Sequence, residues 1–404
     1  MMRMNYQIFV FAFCFLGILN LNAQERISTD SISDSYDFSE KIIIPVTSVK
    51  DQHRSGTCWS FAATSFVEAE ILRISDLTLD LSEMYFVRYA YESKVQNYVR
   101  RHGKANLGGG GQAHDVTNTI ADFGFLPESD YPGLKPGELK HNHGEMDAVL
   151  SAFAEAVVKN TARSLSVVWF DAYKAILDVY LGTVPSNIQY QGNNLSPVEF
   201  ANQSGFLPAD YIEITSYACY PWYKQVNLQI PDNWSYDTYY NLPLDDLMEV
   251  INHALENGYS VCWDGDVSSK GFSHRNGVAI VPEEEIDNLQ GTEQSRWEAI
   301  KPAERMEKLY AFTGPVPEKN IGDVDRLEVF ENYTSTDDHL MHLVGIVTDK
   351  NGNVYYKTKN SWDTDSNKVG GYLNMSEAYI RLNTVAIMIH KDALPKAIYK
   401  QILK

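Results

Sequence analysis

DQHRSGTCWSFAATSFVEAE, residues 51–70, sets a Cys–Trp pair at the mouth of an apolar run. Trp59, Ala62, Ala63, Phe66, Ala69 and Leu72 or Arg73 recur at three- and four-residue spacing, which predicts a helix with one buried face. Cys58 stands where that helix begins. A helix N-terminus supplies about half a positive charge, and an imidazolium nearby would add to it, so a thiol placed there is drawn below its usual value of about 8.5. Gln52, six residues earlier, could offer amide N–H groups to the oxyanion formed when the sulfur attacks a carbonyl. One such donor is worth roughly 3–4 kcal/mol. The same stretch also fits a buried structural cysteine beside a core tryptophan.

The chain around it has 404 residues, 44% hydrophobic and 22% charged, which suits a globular protein with a large core. Its start, MMRMNYQIFVFAFCFLGILNLNAQ, places one Arg before an apolar run from Ile8 to Leu19 and ends in small residues. That pattern predicts a signal peptide over 1–23, with Cys14 inside the apolar run and export as the consequence; a retained anchor is the alternative. No later run approaches the roughly 20 apolar residues of a membrane helix. The remaining chain would keep Cys58, Cys219 and Cys262, an odd number, so at least one thiol is unpaired in an oxidising setting. Cys219 and Cys262 could pair, or Cys262 could be a buried thiol in the strand-like YSVCWDGDV. The formal charge of −19 argues against nucleic acid, which is held through cationic contacts to phosphate.

Helical patterns dominate the first half. KIIIPVTSVKDQ reads as a strand entering a loop, Leu81-Ser82-Glu83 precedes a second helix, and four glycines in NLGGGGQAHDVTNTI precede a third. Met146, Val149, Leu150, Phe153 and Val157 share one helical face, and Trp169, Tyr173, Ile176, Leu177 and Tyr180 share another. Leu244 to Leu255 is helical before a strand at YSVCWDGDV. HLVGIVTDKNGNVYYKTKNSW reads as a hairpin turning at Asn351-Gly352. Helices first and strands later predict an α+β arrangement.

Ser55-Gly56-Thr57-Cys58-Trp59 resembles the papain and cathepsin signature, with Ser55 in place of that pattern's first cysteine. With Gln52 ahead of it, the segment is similar to the bleomycin hydrolase and aminopeptidase C branch of those peptidases. DDHLMHLVG resembles the family's His segment and KNSW its Asn segment. His339 aligns as the imidazole because Gly345 then falls six positions later; His342 is the competitor. The Cys58–His339 gap of 281 residues exceeds the papain spacing of about 130–150. Insertions at about 130–215, helical, and about 281–335 account for it, within one peptidase domain over 24–404. LDVYLGTVPSN, LSPVEF and VCWDGDVSSKGF also look like segments of that branch.

The resemblance implies a two-lobed papain-like fold, with a helical left lobe, a β-rich right lobe and a large helical insertion. It implies Cys58 as nucleophile, Gln52 at the oxyanion, His339 as base and Asn360 orienting His339 under Trp362. Gly110 and Gly111 would form the wall along which substrate backbone lies. The hairpin independently sets Asn360 across from about Met341 to Leu343, two to four residues off His339. Peptides are the implied substrates and no metal or organic cofactor is called for. HNHGE, 141–145, reads as a solvated loop rather than a metal site, lacking a third ligand cluster. In the branch, a C-terminal arm fills the cleft, its carboxylate captures the substrate amine, and subunits form a hexameric ring. KDALPKAIYKQILK looks short for such an arm, so an endopeptidase with an open cleft stays open beside the aminopeptidase. A non-catalytic peptide binder and an acyl transferase to amines are the rival classes.

Overall fold

The computed structural model describes residues 35–134, 137–161 and 164–404. The expected signal peptide lies outside the described residues. The helices, in order, are α1 (Cys58–Ser75), α2 (Glu83–Arg100), α3 (Ala113–Phe123), α4 (Gly144–Val158), α5 (Trp169–Leu181), α6 (Pro197–Gln203), α7 (Leu244–Glu256), α8 (Gly291–Glu298), α9 (Pro302–Leu309), α10 (Asp323–Glu331), α11 (Glu377–Asn383) and α12 (Lys396–Ile402). The strands are β1 (Ser39–Ile43), β2 (Ile188–Tyr190), β3 (Asn193–Leu195), β4 (Tyr211–Thr215), β5 (Lys224–Asn227), β6 (Thr238–Asn241), β7 (Val261–Gly265), β8 (Phe272–Ser273), β9 (Val278–Ala279), β10 (His339–Thr348), β11 (Val354–Lys359), β12 (Tyr372–Ser376) and β13 (Thr384–His390).

Two apolar cores divide the molecule. One joins Trp59, Phe66 and Val67 of α1 to Phe86 of α2, Met146 and Leu150 of α4, and Tyr173 and Leu177 of α5. The other lies on the far face of one large sheet, ordered β5-β6-β4-β13-β7-β10-β11-β12-β9-β8 with β1 added along β10. Strand alternation explains the division: Cys262 and Leu340 turn to the helical core, Trp263 and Met341 to the sheet core. Helices thus cluster on one side and the sheet on the other, an α+β fold with two lobes.

Helix α1 runs between them and is buried all round, from Trp59 through Ile71. A one-faced helix was the sequence expectation. The polar residues that suggested an outer face are satisfied inside instead: Ser60 Oγ donates to the Glu83 carbonyl at 2.7 Å, and Glu68 accepts from Thr47 Oγ1 at 2.5 Å and Leu81 N at 2.8 Å. In the helical segment, Met146, Leu150 and Ala154 of α4 and Tyr173, Leu177 and Leu181 of α5 are buried. Val149 is exposed, so the apolar stripe of α4 is narrower than its sequence implied.

The β10–β11 hairpin sets His342 opposite Lys359 and Thr348 opposite Val354. Its turn is a three-residue loop in which Gly352 N donates to the Asp349 carbonyl at 2.9 Å and only Gly352 is left-handed, at φ +86°. A bulge between Leu343 and Gly345 lets the first half of β10 pair with β7 and the second half with β1.

Candidate active site

Cys58 is the first residue of α1 and stays partly exposed. Thr57 gives α1 no side-chain cap, because its hydroxyl is shared with Ser55 Oγ at 2.6 Å. The N–H groups at this end of the helix are therefore not taken by a capping side chain. The Leu340 backbone, one residue beyond His339 on β10, stands close enough to Cys58 to draw its thiol down.

His339 Nε2 and Asn360 Oδ1 lie 2.8 Å apart, leaving Nδ1 as the ring nitrogen for the sulfur's proton. Trp362 lies over this pair, its ring 4.8 Å from that of His339. The Asn360 amide is held at both ends: Ser361 N donates to Oδ1 at 2.7 Å, and Nδ2 donates to His274 Nδ1 at 3.2 Å. His274 also stacks edge-on against Trp362. Gln52 is fixed by Ser361: Gln52 N donates to the Ser361 carbonyl at 2.9 Å, and Ser361 Oγ donates to Gln52 Oε1 at 2.7 Å. Its amide nitrogen is then the end left to donate.

His342, the alternative imidazole, is fully buried beneath α1, with Nδ1 2.9 Å from Ser65 Oγ and its ring against Phe66. His342 turns to the body of α1 on the face it shares with Leu340, whereas His339, the first residue of β10, meets Asn360 and Trp362 at the end of the strand.

Gly110 and Gly111 are held close by the protein's own groups. A Cβ on Gly110 would lie 1.9 Å from Asp232 Oδ2, and one on Gly111 would lie 2.7 Å from Asp115 Oδ2 and 2.9 Å from Trp59. Lys94 Nζ donates to the carbonyls of Gly108 and Gly110, and Trp59 Nε1 to that of Gly109 at 2.9 Å. The close approach that demands glycine is thus to Asp232, Asp115 and Trp59.

Burial first, then the charges of Asp337, Asp264 and Asp232, push the Cys58 thiol up to about 12, against the pull of the Leu340 backbone. Burial likewise pushes His339 down to about 4. Neither group ionises alone near neutral pH. The charged form open to them is the pair, with the proton moved from sulfur to imidazole, where each new charge compensates the other beside the α1 N-terminus.

Sequence reasoning passed over His274, Ser361 and the carboxylates near Cys58. His274 lies in FSHRNG, where nothing in spacing or composition marks it, and only the sheet's folding brings it to Asn360. Cys58, Cys219 and Cys262 are all free, with Cys262 buried and Cys219 exposed, so Cys262 is the strand thiol of the second alternative. Among the described residues, no group of three or more His, Cys, Asp or Glu is arranged to hold a metal ion, and His141 and His143 pair through backbone with Arg54 instead.

Residues 32–176 match the papain family cysteine protease model, and residues 318–404 match the peptidase C1-like family. Together with the two-lobed α+β fold, these matches toward the two ends of the chain support a papain-like cysteine peptidase. Among solved structures it is similar to PepW from Lactobacillus rhamnosis, at 20% identity over 93% of this chain and 86% of that one, with a TM-score of 0.68, which is a likeness of fold. It also aligns with digestive procathepsin L 3 of Tenebrio molitor, at 14% identity over 86% of this chain and 69% of that one, TM-score 0.37. No curated protein matches the sequence.

Proposed function

We propose that this peptidase hydrolyses peptide bonds through Cys58, His339 and Asn360, as an exported aminopeptidase of the bleomycin hydrolase type. The observation that carries the reading is the 2.8 Å His339–Asn360 contact under Trp362, on the strand whose next residue, Leu340, lies close to Cys58. Cys58 attacks the carbonyl carbon as its proton passes to His339. The oxyanion takes hydrogen bonds from Gln52 and the Cys58 N–H. His339 returns the proton to the leaving amine, and the thioester is hydrolysed by water that His339 deprotonates. Asn360 holds the imidazole in one tautomer, and Trp362 keeps water from their hydrogen bond.

One observation favours an endopeptidase instead. The C-terminal helix α12 seats Ile398 in the sheet core with Leu247, Ile251 and Leu255, on the face opposite Cys58, so among the described residues it does not fill the cleft. One peptide assayed with a free and with an acetylated N-terminus separates the two. Loss of cleavage on acetylation means exopeptidase; indifference means endopeptidase. Labelling by an epoxide cysteine-peptidase inhibitor is expected in the folded protein and absent in Cys58→Ala. Folded protein that neither labels nor cleaves would end the proposal in favour of a peptide binder.

A further inference from the structure

Beside Cys58 lies a group of carboxylates that the steps of hydrolysis do not use. Asp264 is on β7 directly opposite Leu340 of β10, and the Leu340 backbone and the Asp264 charge both act on the Cys58 thiol. Alternation turns Asp264 to the same face as Cys262 and Leu340, toward α1. It is 3% exposed, and neither of its oxygens has a hydrogen-bond partner among the described residues. Asp337, two residues before His339, is partly exposed and stands near it. Gln112 Nε2 donates to both Asp337 oxygens at 3.1 Å. Asp337 and Gln112 both stand close enough to act on the Asp264 carboxyl, Asp337 raising it and Gln112 lowering it, while Asp264 lowers Asp337 in turn.

The Lys94 ammonium, which acts on Asp115 and Asp232, is committed to the glycine loop, where it donates to the Gly108 and Gly110 carbonyls. No ion pair involves Asp264 or Asp337 among the described residues. A buried carboxylate with neither hydrogen bond nor cation costs several kcal/mol as an ion, so the group holds its proton until a cation meets it. Burial, then the charge of Asp337, holds the Asp264 carboxyl well above the usual carboxylate range in the empty cleft. An incoming cation would reverse that and would also relieve the repulsion these groups exert on a Cys58 thiolate.

The direction of the cleft says which part of a substrate meets them. His339 must hand its proton to the departing amine, so the leaving group lies toward His339 and Trp362. The acyl half is then assigned to the other side of Cys58, where Leu340, Asp264 and Asp337 stand near the sulfur. We propose that Asp264 and Asp337 form a cation subsite next to Cys58, which takes the positive charge carried by a peptide substrate on the acyl side of the scissile bond. That charge is either the α-ammonium of the chain terminus or a Lys or Arg side chain. This deepens the peptidase reading and rests on it for the substrate, though not for the chemistry of the pocket.

Two assays separate the proposal from that reading. In the first, wild type and Asp264→Asn are given peptides with a free N-terminus, with an acetylated N-terminus, and acetylated with Lys or Leu before the residue at the cleaved bond. A preference of about 10-fold or more in kcat/KM for a free terminus identifies the α-ammonium, and one for Lys over Leu identifies the side chain; either should collapse toward one in Asp264→Asn. The second needs no catalysis. Cys58 is modified with methyl methanethiosulfonate or its cationic aminoethyl analogue, each forming a mixed disulfide and releasing methanesulfinate, with mass mapping to separate Cys58 from exposed Cys219. The cationic reagent should react about 10-fold or more faster, relative to the neutral one, in wild type than in Asp264→Asn. Asparagine is isosteric at a site without partners, and Asp337→Asn, partly exposed, serves if the first variant does not fold. Equal reagent ratios in wild type and variants would overturn the subsite whether or not peptides are cleaved. Equal ratios across the peptides in wild type would do the same. No cleavage, with the reagent ratio intact, would overturn only the peptidase reading.

Discussion

At the level of single residues, the site is a chain of orientation that ends on the sulfur. His274 Nδ1 accepts from Asn360 Nδ2, Asn360 Oδ1 meets His339 Nε2, and the amide can then present only one end to the imidazole. Because burial pushes His274 down to about 4, with His339 next among the causes, it stays neutral and able to accept over the working range of the enzyme. His274 is thus a positioning residue. Substituting His274→Ala should lower kcat by about 10-fold with KM nearly unchanged, and His274→Gln, which keeps an acceptor, should recover part of the loss. An equal rise in KM would point to a general disturbance of the cleft instead. The sequence displayed Cys58, Gln52, His339 and Asn360 because each lies in a local motif. It concealed His274 because its contacts with Asn360, Trp362 and Ser366 cross 86 or more residues of chain, between segments that meet in the folded sheet.

The elements carry the same lesson in their packing. Periodicity found α1, α2, α4, α5 and α7 and the hairpin of β10 and β11, since each has a core-facing pattern strong enough to read locally. It misjudged α1, whose burial on every side is decided by two lobes closing on it, with Ser65 Oγ against His342 and Lys359, and Glu70 receiving Tyr211 Oη at 3.0 Å. The glycine run was legible as a close approach, but not what approaches. Gly111 sits where the loop before α3 meets the start of α1. A Cβ there would press on Trp59, next to Cys58, and on Asp115, which caps α3 through Gln112 N at 2.9 Å. Neither is a free side-chain end: Trp59 is in the core and Asp115 also accepts from Trp234 Nε1 at 2.9 Å. Gly111→Ala should therefore destabilise the protein by about 1–3 kcal/mol, seen as a lower urea midpoint at unchanged slope. A wild-type midpoint would mean the loop shifts freely and α1 is not anchored through it.

For the whole molecule, one contact that holds the 281–335 segment to the sheet is made by a buried carboxylate, beside the bonds of Arg326 to the Ser216 and Thr384 carbonyls. Glu318, in that segment, uses one oxygen to accept from Val281 N at 2.7 Å and Ser376 Oγ at 2.6 Å, joining it to the end of β12. Burial, opposed by these hydrogen bonds and aided by Asp349, pushes its carboxyl up to about 7 from an ordinary 4.5. A group that binds its proton more tightly folded than unfolded stabilises the fold in full below its unfolded value, and that contribution is lost as pH rises through the folded one. Glu318 should thus cost stability progressively between pH 4.5 and about 7 and remain a constant burden above. Glutamine keeps an oxygen that can accept both hydrogen bonds and never ionises. The stability of Glu318→Gln relative to wild type, from urea melts at pH 4.5, 6 and 8, should rise across the first interval and level off beyond about 7. Other buried groups titrate in both proteins and cancel in that difference, so its slope belongs to Glu318 and the groups coupled to it. A difference that does not change with pH would mean that the carboxyl is solvated as in the unfolded chain, and that the segment does not close over the sheet at this point.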